Sequence, residues 1–293
     1  MSDSLSDDRL RRDEHIVSPS NPTVKLARSL SRRRVRQRER AILVEGMRAI
    51  SSAMSQGAAL RAVMIDRDRR AQVAEDDVQV LRAAVDRLLF IEPELFDSIA
   101  DAEHPQPVIA ICGMPRVEIP PDSTFVLAID GVRDPGNLGT LIRTAAAAGI
   151  DGVAVLPGAV DLYNPKVIRA SAGALFAIPV ASFPSIERVG AQCFAERPTI
   201  VLADGEGDVT HDAVAWTTPT LLVIGGEASG AGEEARTYAD VVARISIESE
   251  VESLNAAVAG AIFLFEARRQ RDAAGRNRRT DADFVWGKRV HVL

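Results

Sequence analysis

A turn between an apolar strand and an alanine-rich helix holds the first residues whose types and spacing could do chemistry, in the stretch Phe125 to Ala148. Phe125 to Ile129 is a near-continuous apolar run, which is typical of a parallel strand covered on both faces. Four residues that shape turns follow it, namely Gly131, Pro135, Gly136 and Gly139. Glycines leave backbone N–H groups bare, so this turn could hold a ligand against the N-terminus of the helix.

Two polar side chains of this turn, Asn137 and Arg143, could contact such a ligand. The pattern predicts a helix from Leu138 to Ala148 with Asn137 as its N-cap. Arg143 then lies less than two turns into the helix, near the end that carries partial positive charge. An anion or a ribose could bind there. The alternative is purely structural, because Gly, Asp, Asn and Pro shape any such turn and a surface arginine is usually solvated.

Two later blocks favour a site. Leu221 to Gly232 reads LLVIGGEASGAG, and Ile245 to Arg271 reads ISIESEVESLNAAVAGAIFLFEARRQR. Together with NLGTLIR they give three patterns in order: N-x-G-x-x-x-R, G-x-E-x-x-G, and E-S-L-N-x-x-x-A at the start of a helix. These patterns resemble the three motifs of SpoU/TrmH-type S-adenosylmethionine-dependent RNA 2′-O-ribose methyltransferases, of the SPOUT superfamily. The match spans roughly half the chain, and it is specific because order and spacing both agree.

The resemblance implies a role for each matching residue. Five polar residues would form the catalytic group: Asn137, Arg143, Glu227, Ser253 and Asn255. Three residues would line the S-adenosylmethionine pocket: Gly225, Ile245 and Leu254. The physics is compatible, because amides bared by glycine can bind the edge of the adenine and apolar side chains can cover its faces. No G-x-G-x-x-G or Walker-type phosphate loop competes with this interpretation.

Three positions depart from the family pattern. Ser246 stands where proline is usual, Ser249 where glycine is usual, and Ala231 where a larger apolar residue is usual. Serine neither fixes φ as proline does nor permits positive φ as readily as glycine. The shape of the cofactor loop, and with it the cofactor affinity, is therefore open.

The implied reaction needs a ribose hydroxyl, a poor nucleophile, to be placed in line with the methyl group. Arg143 is the family's usual candidate to accept its proton. Because a guanidinium keeps its proton, we expect Arg143 instead to bind the phosphate beside the ribose and to stabilise the developing alkoxide. Two rivals stay open: a catalytically silent RNA-binding protein of the same fold, and a knotted methyltransferase that acts on a base nitrogen. Large-subunit ribosomal RNA is the first expected substrate and transfer RNA the second.

Composition limits the alternatives. The 293 residues predict two modest domains, and 35 Lys and Arg against 41 Asp and Glu give a net charge of −6, which argues against a globally basic protein. Cys112 and Cys193 are too few for a disulfide framework or a metal cluster, so we expect two buried thiols in a reducing cytoplasm and no metal. No signal peptide and no apolar run of about 18 residues is present, which predicts a cytoplasmic protein without a membrane segment.

The chain order predicts an α/β protein in five parts. These are a disordered leader at 1–18, a smaller α/β sandwich for RNA binding at 19–112, a linker at 113–122, a parallel-sheet methyltransferase domain at 123–270, and a basic tail at 271–293. The resemblance further implies a deep trefoil knot in the parallel-sheet domain, and a homodimer with the site near the subunit interface.

The N-terminal domain carries a basic run. Lys25 to Arg40 holds eight basic residues against the single acid Glu39, which favours contact with a phosphate backbone over a merely solvated helix face. In similar proteins the turn at Glu45 and Gly46 also faces RNA. The candidate RNA-binding residues are Lys25, Arg28, Arg32, Arg33, Arg34, Arg36, Glu45 and Arg48.

For three further segments the sequence leaves two alternative roles open. The loop and helix carrying Asp161, Asn164, Lys166, Arg169 and Ser171 either face the substrate or merely connect elements. The tail from Arg268 is either a second RNA contact or a frayed terminus. A helix from Ser253, its N-cap, to Arg268 would bury an apolar stripe in the monomer or across a dimer, formed by Leu254, Val258, Ala261, Ile262 and Phe265.

Overall fold

The computed structural model describes residues 14–275, apart from 101, 116, 228, 229, 249 and 251. The chain forms two compact units. The first comprises the described residues up to Val117 together with Asp134–Arg143 and Val160–Ala177. The second comprises Glu118–Arg133, Thr144–Ala159 and the described residues from Ile178 onward. Among the described residues, no helix is long and apolar enough to cross a membrane.

The first unit is built on a mixed five-stranded sheet. Its elements up to residue 113 are β1 (Glu14–Ile16), α1 (Pro22–Ser29), α2 (Arg33–Glu39), β2 (Ala41–Glu45), α3 (Met47–Ser55), β3 (Leu60–Asp66), α4 (Glu75–Ala84), β4 (Leu88–Ile91), α5 (Pro93–Ala100) and β5 (Val108–Gly113). The strand order is β1-β4-β3-β5-β2. β1, β4 and β3 run parallel, whereas β5 runs antiparallel to both β3 and β2.

Apolar faces of the helices close the core of the first unit. α1 buries Val24 and Ala27 at helical spacing, and α5 buries Leu95, Phe96 and Ile99. These side chains join one cluster with apolar residues of the strands. The sheet is therefore a covered layer, as expected for an α/β sandwich.

The chain continues with β6 (Phe125–Asp130), α6 (Pro135–Ala148), β7 (Gly152–Val155), α7 (Pro165–Ala170), α8 (Ala174–Ala177), β8 (Val180–Ser182), α9 (Ile186–Cys193), β9 (Thr199–Ala203), β10 (Val209–Thr210), β11 (Thr220–Gly225), α10 (Glu233–Tyr238), β12 (Val241–Arg244) and α11 (Ala256–Ala273). The second unit contains a seven-stranded sheet in the order β10-β12-β9-β11-β6-β7-β8, and every pairing is parallel. β6 and β11 are near-continuous apolar runs, as parallel strands buried on both faces require.

The predicted α/β fold with a parallel C-terminal sheet is confirmed. Both cysteines are buried as predicted, and burial raises the pKa of the Cys112 thiol to about 12 and that of Cys193 to about 11. The thiolate form is therefore disfavoured at both positions.

Several predicted boundaries are corrected. Glu14–Ile16 forms strand β1, which pairs with β4, so the predicted disorder is wrong for these residues. Residues 1–13 lie outside the described residues. So do Ser249 and the tail arginines and lysine at 276–289. The helix expected in the segment carrying Lys166 and Arg169 ends at Ala170, and Ala172 beyond it adopts a left-handed φ of 49°.

The C-terminal helix differs most from its prediction. It begins at Ala256 and runs to Ala273, and its N-cap is Asn255 rather than Ser253. The Asn255 side chain accepts hydrogen bonds from Ala257 N (2.9 Å) and Val258 N (3.2 Å), which explains an asparagine at this position.

The buried face of α11 is not the predicted stripe. Its buried residues are Ala256, Ala257, Gly260, Phe263, Leu264, Ala267 and Arg271. Val258 and Phe265 are instead 50% and 48% exposed. Burial within the monomer is therefore wrong for these two side chains.

Candidate active site

The first motif begins at the N-terminus of α6. Asp134, not Asn137, caps this helix: its Oδ1 accepts a hydrogen bond from Asn137 N (2.8 Å), and its carbonyl accepts one from Leu138 N (3.1 Å). Pro135 opens the helix, where its missing N–H costs nothing. Asn137 thus lies inside the first turn, half-buried, and Arg143 lies exposed on the same helix.

Gly139 of the first motif serves helix packing. A Cβ at this position would lie 2.5 Å from the Ala170 Cβ and 2.8 Å from the Val167 carbonyl oxygen. α6 therefore approaches α7 so closely that only glycine fits. The motif glycine is explained by this contact without a ligand.

The second motif forms a tight loop after β11. A Cβ on Gly225 would lie 2.2 Å from Ala231 N, and one on Gly226 would lie 2.4 Å from the Gly131 carbonyl oxygen. Gly226 N also donates a hydrogen bond to Gly230 O at 3.1 Å. The loop thus folds back onto the end of its own strand, which leaves no room for side chains at the two leading glycines.

Asp130 ties this loop to the neighbouring strand. It ends β6, lies opposite Gly225 in the register of β6 and β11, and accepts a hydrogen bond from Gly232 N at 2.7 Å. Glu227 is exposed at the tip of the described part of the loop. Asp130 directly follows the apolar run Phe125 to Ile129, and no local pattern reveals its contact, because Gly232 is distant in the chain.

The third block follows β12. Ile245 comes directly after the strand and is half-buried, as is Leu254 shortly before α11, whereas Ser253 is exposed. β6, β11, β9 and β12 are successive neighbours in a parallel sheet, so their carboxyl ends share one edge. Ligands of open α/β sheets bind at such an edge. Gly225 and Ile245, two predicted cofactor residues, stand at this edge.

α11 is held by an aromatic cluster and by Arg271. Trp216 contacts Phe125 and Phe263, each with ring centroids 6.0 Å apart. The buried Arg271 guanidinium stacks over Phe125 and donates to Trp216 O (2.8 Å), to Thr124 Oγ1 (3.0 Å) and O (2.8 Å), and to a further carbonyl. Arg271 is therefore structural, so neither alternative for the basic tail, a second RNA contact or a frayed terminus, describes this residue.

The basic surface of the first unit is smaller than the basic run suggested. Five of the candidate side chains are exposed: Lys25, Arg32, Arg33, Arg34 and Arg48. Arg28 is half-buried and donates to Ser98 Oγ. Arg36 is buried; it donates to Leu30 O (2.8 Å) and Ser31 O (2.6 Å) and pairs with Asp161. These contacts favour a structural role for Arg36 over the predicted RNA contact.

Glu45 is likewise committed to contacts within the first unit. Its carboxylate accepts a hydrogen bond from Gln106 N (2.8 Å) and lies 3.7 Å from Arg169, which also donates to Ala100 O. Burial raises the pKa of Glu45, although the Gln106 amide and Arg169 oppose this shift. The arrangement favours a structural role over the predicted RNA contact.

The segment after β7 packs rather than projecting as a free loop. Asn164 caps α7 through Lys166 N (2.9 Å), and Ser171 is fully buried and donates to Ile168 O (2.8 Å). Asp161 accepts a hydrogen bond from Arg36, and Arg169 contacts Glu45. Four of the five candidate substrate residues thus hold structural positions. No group of three or more metal-ligating side chains occurs within the described ranges.

Comparison with known proteins identifies the class. Residues 124–265 match the SpoU rRNA Methylase family, and residues 21–110 match the MRM3-like substrate binding domain. The chain belongs to the SpoU methylase family, as its three motifs predicted.

One curated relative and one solved structure define the relationship more closely. A 23S rRNA (uridine(2479)-2′-O)-methyltransferase of Streptomyces viridochromogenes is 34% identical over 253 residues, which is 83% of this chain and 87% of that protein. The crystal structure of the SpoU methyltransferase AviRb from Streptomyces viridochromogenes, in complex with AdoMet, has a TM-score of 0.78 at 32% identity and covers 86% of this chain and 99% of that chain.

A third relative acts on a different nucleoside. The 23S rRNA (guanosine(2553)-2′-O)-methyltransferase RlmP of Bacillus subtilis (strain 168) is 29% identical over 259 residues, covering 87% of this chain and 99% of that protein. The relatives therefore share a ribose reaction and differ in the base that is attached.

Proposed function

We propose that this protein methylates a ribose 2′-hydroxyl in large-subunit ribosomal RNA, with S-adenosylmethionine as methyl donor. The observation that carries the proposal is the cradle at Gly225 and Gly226, at the carboxyl edge of a parallel sheet, where a Cβ would lie 2.2–2.4 Å from backbone atoms. These contacts are with the protein's own backbone, so they fix the shape of a loop that lies at the edge where ligands of open α/β sheets bind. Relatives over most of the chain methylate 23S ribosomal RNA.

The residues present fit S-adenosylmethionine. Gly225 and its neighbours would offer backbone groups to the adenine edge, and Ile245 and Leu254 would cover its faces. When bound, the cofactor supplies an electrophilic methyl group to an oxygen nucleophile. Ser246 stands where proline is usual and Ser249 where glycine is usual, so neither position constrains φ as the family residue would.

The polar motif residues would act on the RNA. Arg143 is exposed on α6. We assign to it two roles: it binds the phosphate beside the target ribose, and it stabilises the developing alkoxide. Its forked guanidinium suits both anions. Asn137, Glu227 and Ser253 are proposed to orient the nucleotide. Asn255 caps α11, so its role is to hold the third motif in place rather than to react.

RNA capture is assigned to the first unit. Arg32, Arg33 and Arg34 are consecutive, exposed, and start helix α2, with Lys25 and Arg48 also exposed. A helix start that carries three cations and no acid is poorly matched to its own dipole, and an RNA phosphate would relieve this. Contacts between arginine and phosphate do not depend on the base sequence of the RNA. They would therefore hold the RNA while the catalytic residues select the ribose.

We further propose that the protein is a homodimer through the outer face of α11, defined by Val258, Ala261, Ile262 and Phe265. Two of its large apolar side chains are about half exposed to solvent, which is costly for a free surface. Sedimentation equilibrium tests this: wild type should be a dimer and Phe265→Glu a monomer. Val80→Glu, at an apolar position of α4 that is 50% exposed, is the matched control.

The reaction is tested by mapping tritium from methyl-labelled S-adenosylmethionine on total bacterial RNA. A 2′-O-methyl group blocks cleavage of the adjacent phosphodiester in alkali, so the label should appear in an alkali-resistant dinucleotide from the large-subunit RNA. Label in transfer RNA would show that transfer RNA, and not large-subunit ribosomal RNA, is the substrate. Label on a base would show that the protein methylates a base and not a ribose. If the protein binds AdoMet but transfers no label, a catalytically silent RNA-binding role would be favoured.

A further inference from the structure

A second carboxylate stands at the same sheet edge as Asp130, at the end of β9. Asp204 follows this strand, its N–H donates to Ala243 O (2.9 Å), and its Oδ1 accepts a hydrogen bond from Glu206 N (3.0 Å). Only 12% of its side chain is exposed. The main chain of Asp204 is therefore fixed to β12, and one carboxylate oxygen binds a backbone N–H while the other binds a side chain.

That partner is Arg236 on α10, the helix that directly follows the second-motif loop. Arg236 Nη2 lies 2.6 Å from Asp204 Oδ2, and 3.5 Å from the position that a Cβ on Gly230 would occupy. Arg236 N also donates to Gly232 O at 3.3 Å. The guanidinium thus lies against the returning limb of the loop while its charge is anchored on β9.

The second-motif loop is consequently held from both sides of its own strand. β11 lies between β6, which ends in Asp130, and β9, which Asp204 follows. Asp130 binds the loop, and Asp204 binds the helix after it. Since Arg236 is 52% exposed, the ion pair contributes little to global stability, as exposed pairs generally do. Its effect is local, on the position of the loop.

We propose that Asp204 and Arg236 are positioning residues that set the end of the second-motif loop, at Gly230–Gly232, for the adenosyl group of the methyl donor. This inference rests on the proposed function. The pair acts through the backbone of Gly225 and Gly230, without contacting the methyl group or the RNA. Its loss therefore weakens the binding of S-adenosylmethionine and leaves the chemical step intact.

A double-mutant cycle tests the pair by calorimetry with S-adenosylmethionine and by steady-state methylation. Asp204→Asn keeps an acceptor for Glu206 N, and Arg236→Gln removes the charge. Each should raise the Kd and the KM for S-adenosylmethionine about five- to tenfold, and the double variant should match the single ones, because contacting residues are not additive. kcat at saturating S-adenosylmethionine and the KM for RNA should stay within about twofold. Arg236→Lys should recover part of the affinity.

The control is another ion pair of the same sheet. Arg197 and Asp240 lie 2.7 Å apart near the other end of β9, where Asp240 also accepts a hydrogen bond from Ile200 N. Arg197→Gln should leave the Kd for S-adenosylmethionine unchanged. A folded wild type that binds the cofactor while Asp204→Asn and Arg236→Gln bind it equally well, or lose affinity additively, overturns the positioning role alone. A wild type that binds no S-adenosylmethionine overturns the proposed function and this inference together.

Discussion

The side chain of Asp130 accepts a 2.7 Å hydrogen bond from the backbone N–H of Gly232, although 102 residues separate them in the chain. Asp130 lies opposite Gly225 in the sheet register. The segment Gly230–Gly232 is thus fastened to the end of β6. Backbone so fixed is preorganised, which lowers the entropy lost when a ligand binds to it.

Gly225→Ala should disrupt this loop. The new Cβ would lie 2.2 Å from Ala231 N, so the backbone must move, at a cost of about 1–3 kcal/mol for overpacking. We expect calorimetry to show S-adenosylmethionine binding weakened by tenfold or more, about 1.4 kcal/mol. Gly205→Ala is the control, since nothing lies within 4 Å of its Cβ position. If Gly225→Ala bound S-adenosylmethionine as tightly as wild type, the loop at Gly225 and Gly226 would not be part of the cofactor site.

Arg271→Ala should destabilise the second unit. The change leaves Trp216 O without this donor in a buried setting and removes the stacking of the guanidinium over Phe125. Thr124 O and Thr218 O keep donors, from Thr220 N and Thr220 Oγ1. We therefore expect a loss of about 1–3 kcal/mol in the free energy of unfolding, measured in urea. Arg269→Ala, on the same helix but solvent-exposed in an i,i+3 pair with Glu266, should show no measurable change. Equal stabilities would place Arg271 at the surface.

Arg271 and the buried face of α11 show where sequence reasoning fails. Periodicity locates α11, but it does not tell which of its two apolar faces is buried. The buried face carries small residues such as Ala257 and Gly260, so it looks less apolar in the sequence than the exposed one. Arg271 follows a run of basic residues and resembles a solvated tail. Its acceptors lie more than 50 residues away in the chain, so no local pattern reveals them.

The parallel sheet and the loop at Gly225 and Gly226 were predictable because their sequence pattern is local. β6 and β11 are short apolar runs followed directly by glycine or aspartate, and this local signature marks a buried parallel strand and its ligand-facing end. The resemblance then selected Gly225 among the many glycines. The partners that fix it, Asp204 and Arg236, depend on strand order. Neither composition nor spacing specifies strand order in a doubly covered sheet.

Glu45 should make stability depend on pH. Burial raises its pKa in the folded protein above that of an unfolded glutamate. The folded state therefore holds its proton more tightly, so the contribution of Glu45 is most favourable at low pH and is lost as pH rises through the folded pKa. Glu45→Gln keeps an acceptor for Gln106 N but cannot titrate. Its free energy of unfolding relative to wild type should rise between about pH 4 and about pH 7, as measured in urea. A difference that does not vary with pH would contradict the shift.

Replacing Arg32, Arg33 and Arg34 with Gln should weaken RNA binding in a salt-dependent way. Each lost phosphate contact should flatten the slope of log K against log[salt] by about one unit, as measured by filter binding or anisotropy. Arg33 is also 3.8 Å from Asp161, at a side-chain exposure of 66%, so its contact within the protein is weak. Arg188→Gln, an exposed position of α9, is the control. An unchanged slope would make these arginines a solvated face.

Arg143→Ala should abolish most of the activity without harming the fold. The side chain is exposed on α6, and alanine is the best helix former. The free energy of unfolding and the affinity for S-adenosylmethionine should therefore stay unchanged. Losing a charge-assisted contact to the alkoxide and phosphate should cost about 3 kcal/mol, or roughly a hundredfold in the rate of single-turnover methylation. Arg188→Ala on α9 should keep the wild-type rate. Near-normal turnover by Arg143→Ala would return Arg143 to the solvated surface.

Arg143→Lys distinguishes the two chemical roles that an arginine could have here. If Arg143 grips phosphate and alkoxide with a planar fork, lysine keeps the charge but loses the geometry, so the rate should recover only in part and remain nearly flat with pH. If Arg143 accepts the proton of the ribose hydroxyl, lysine has the lower pKa, and the rate of the variant should climb steeply as the pH approaches about 10. We expect the flat profile, measured under single-turnover conditions with saturating S-adenosylmethionine and RNA. A rate that rises tenfold per pH unit in Arg143→Lys, but not in wild type, would establish the base role instead.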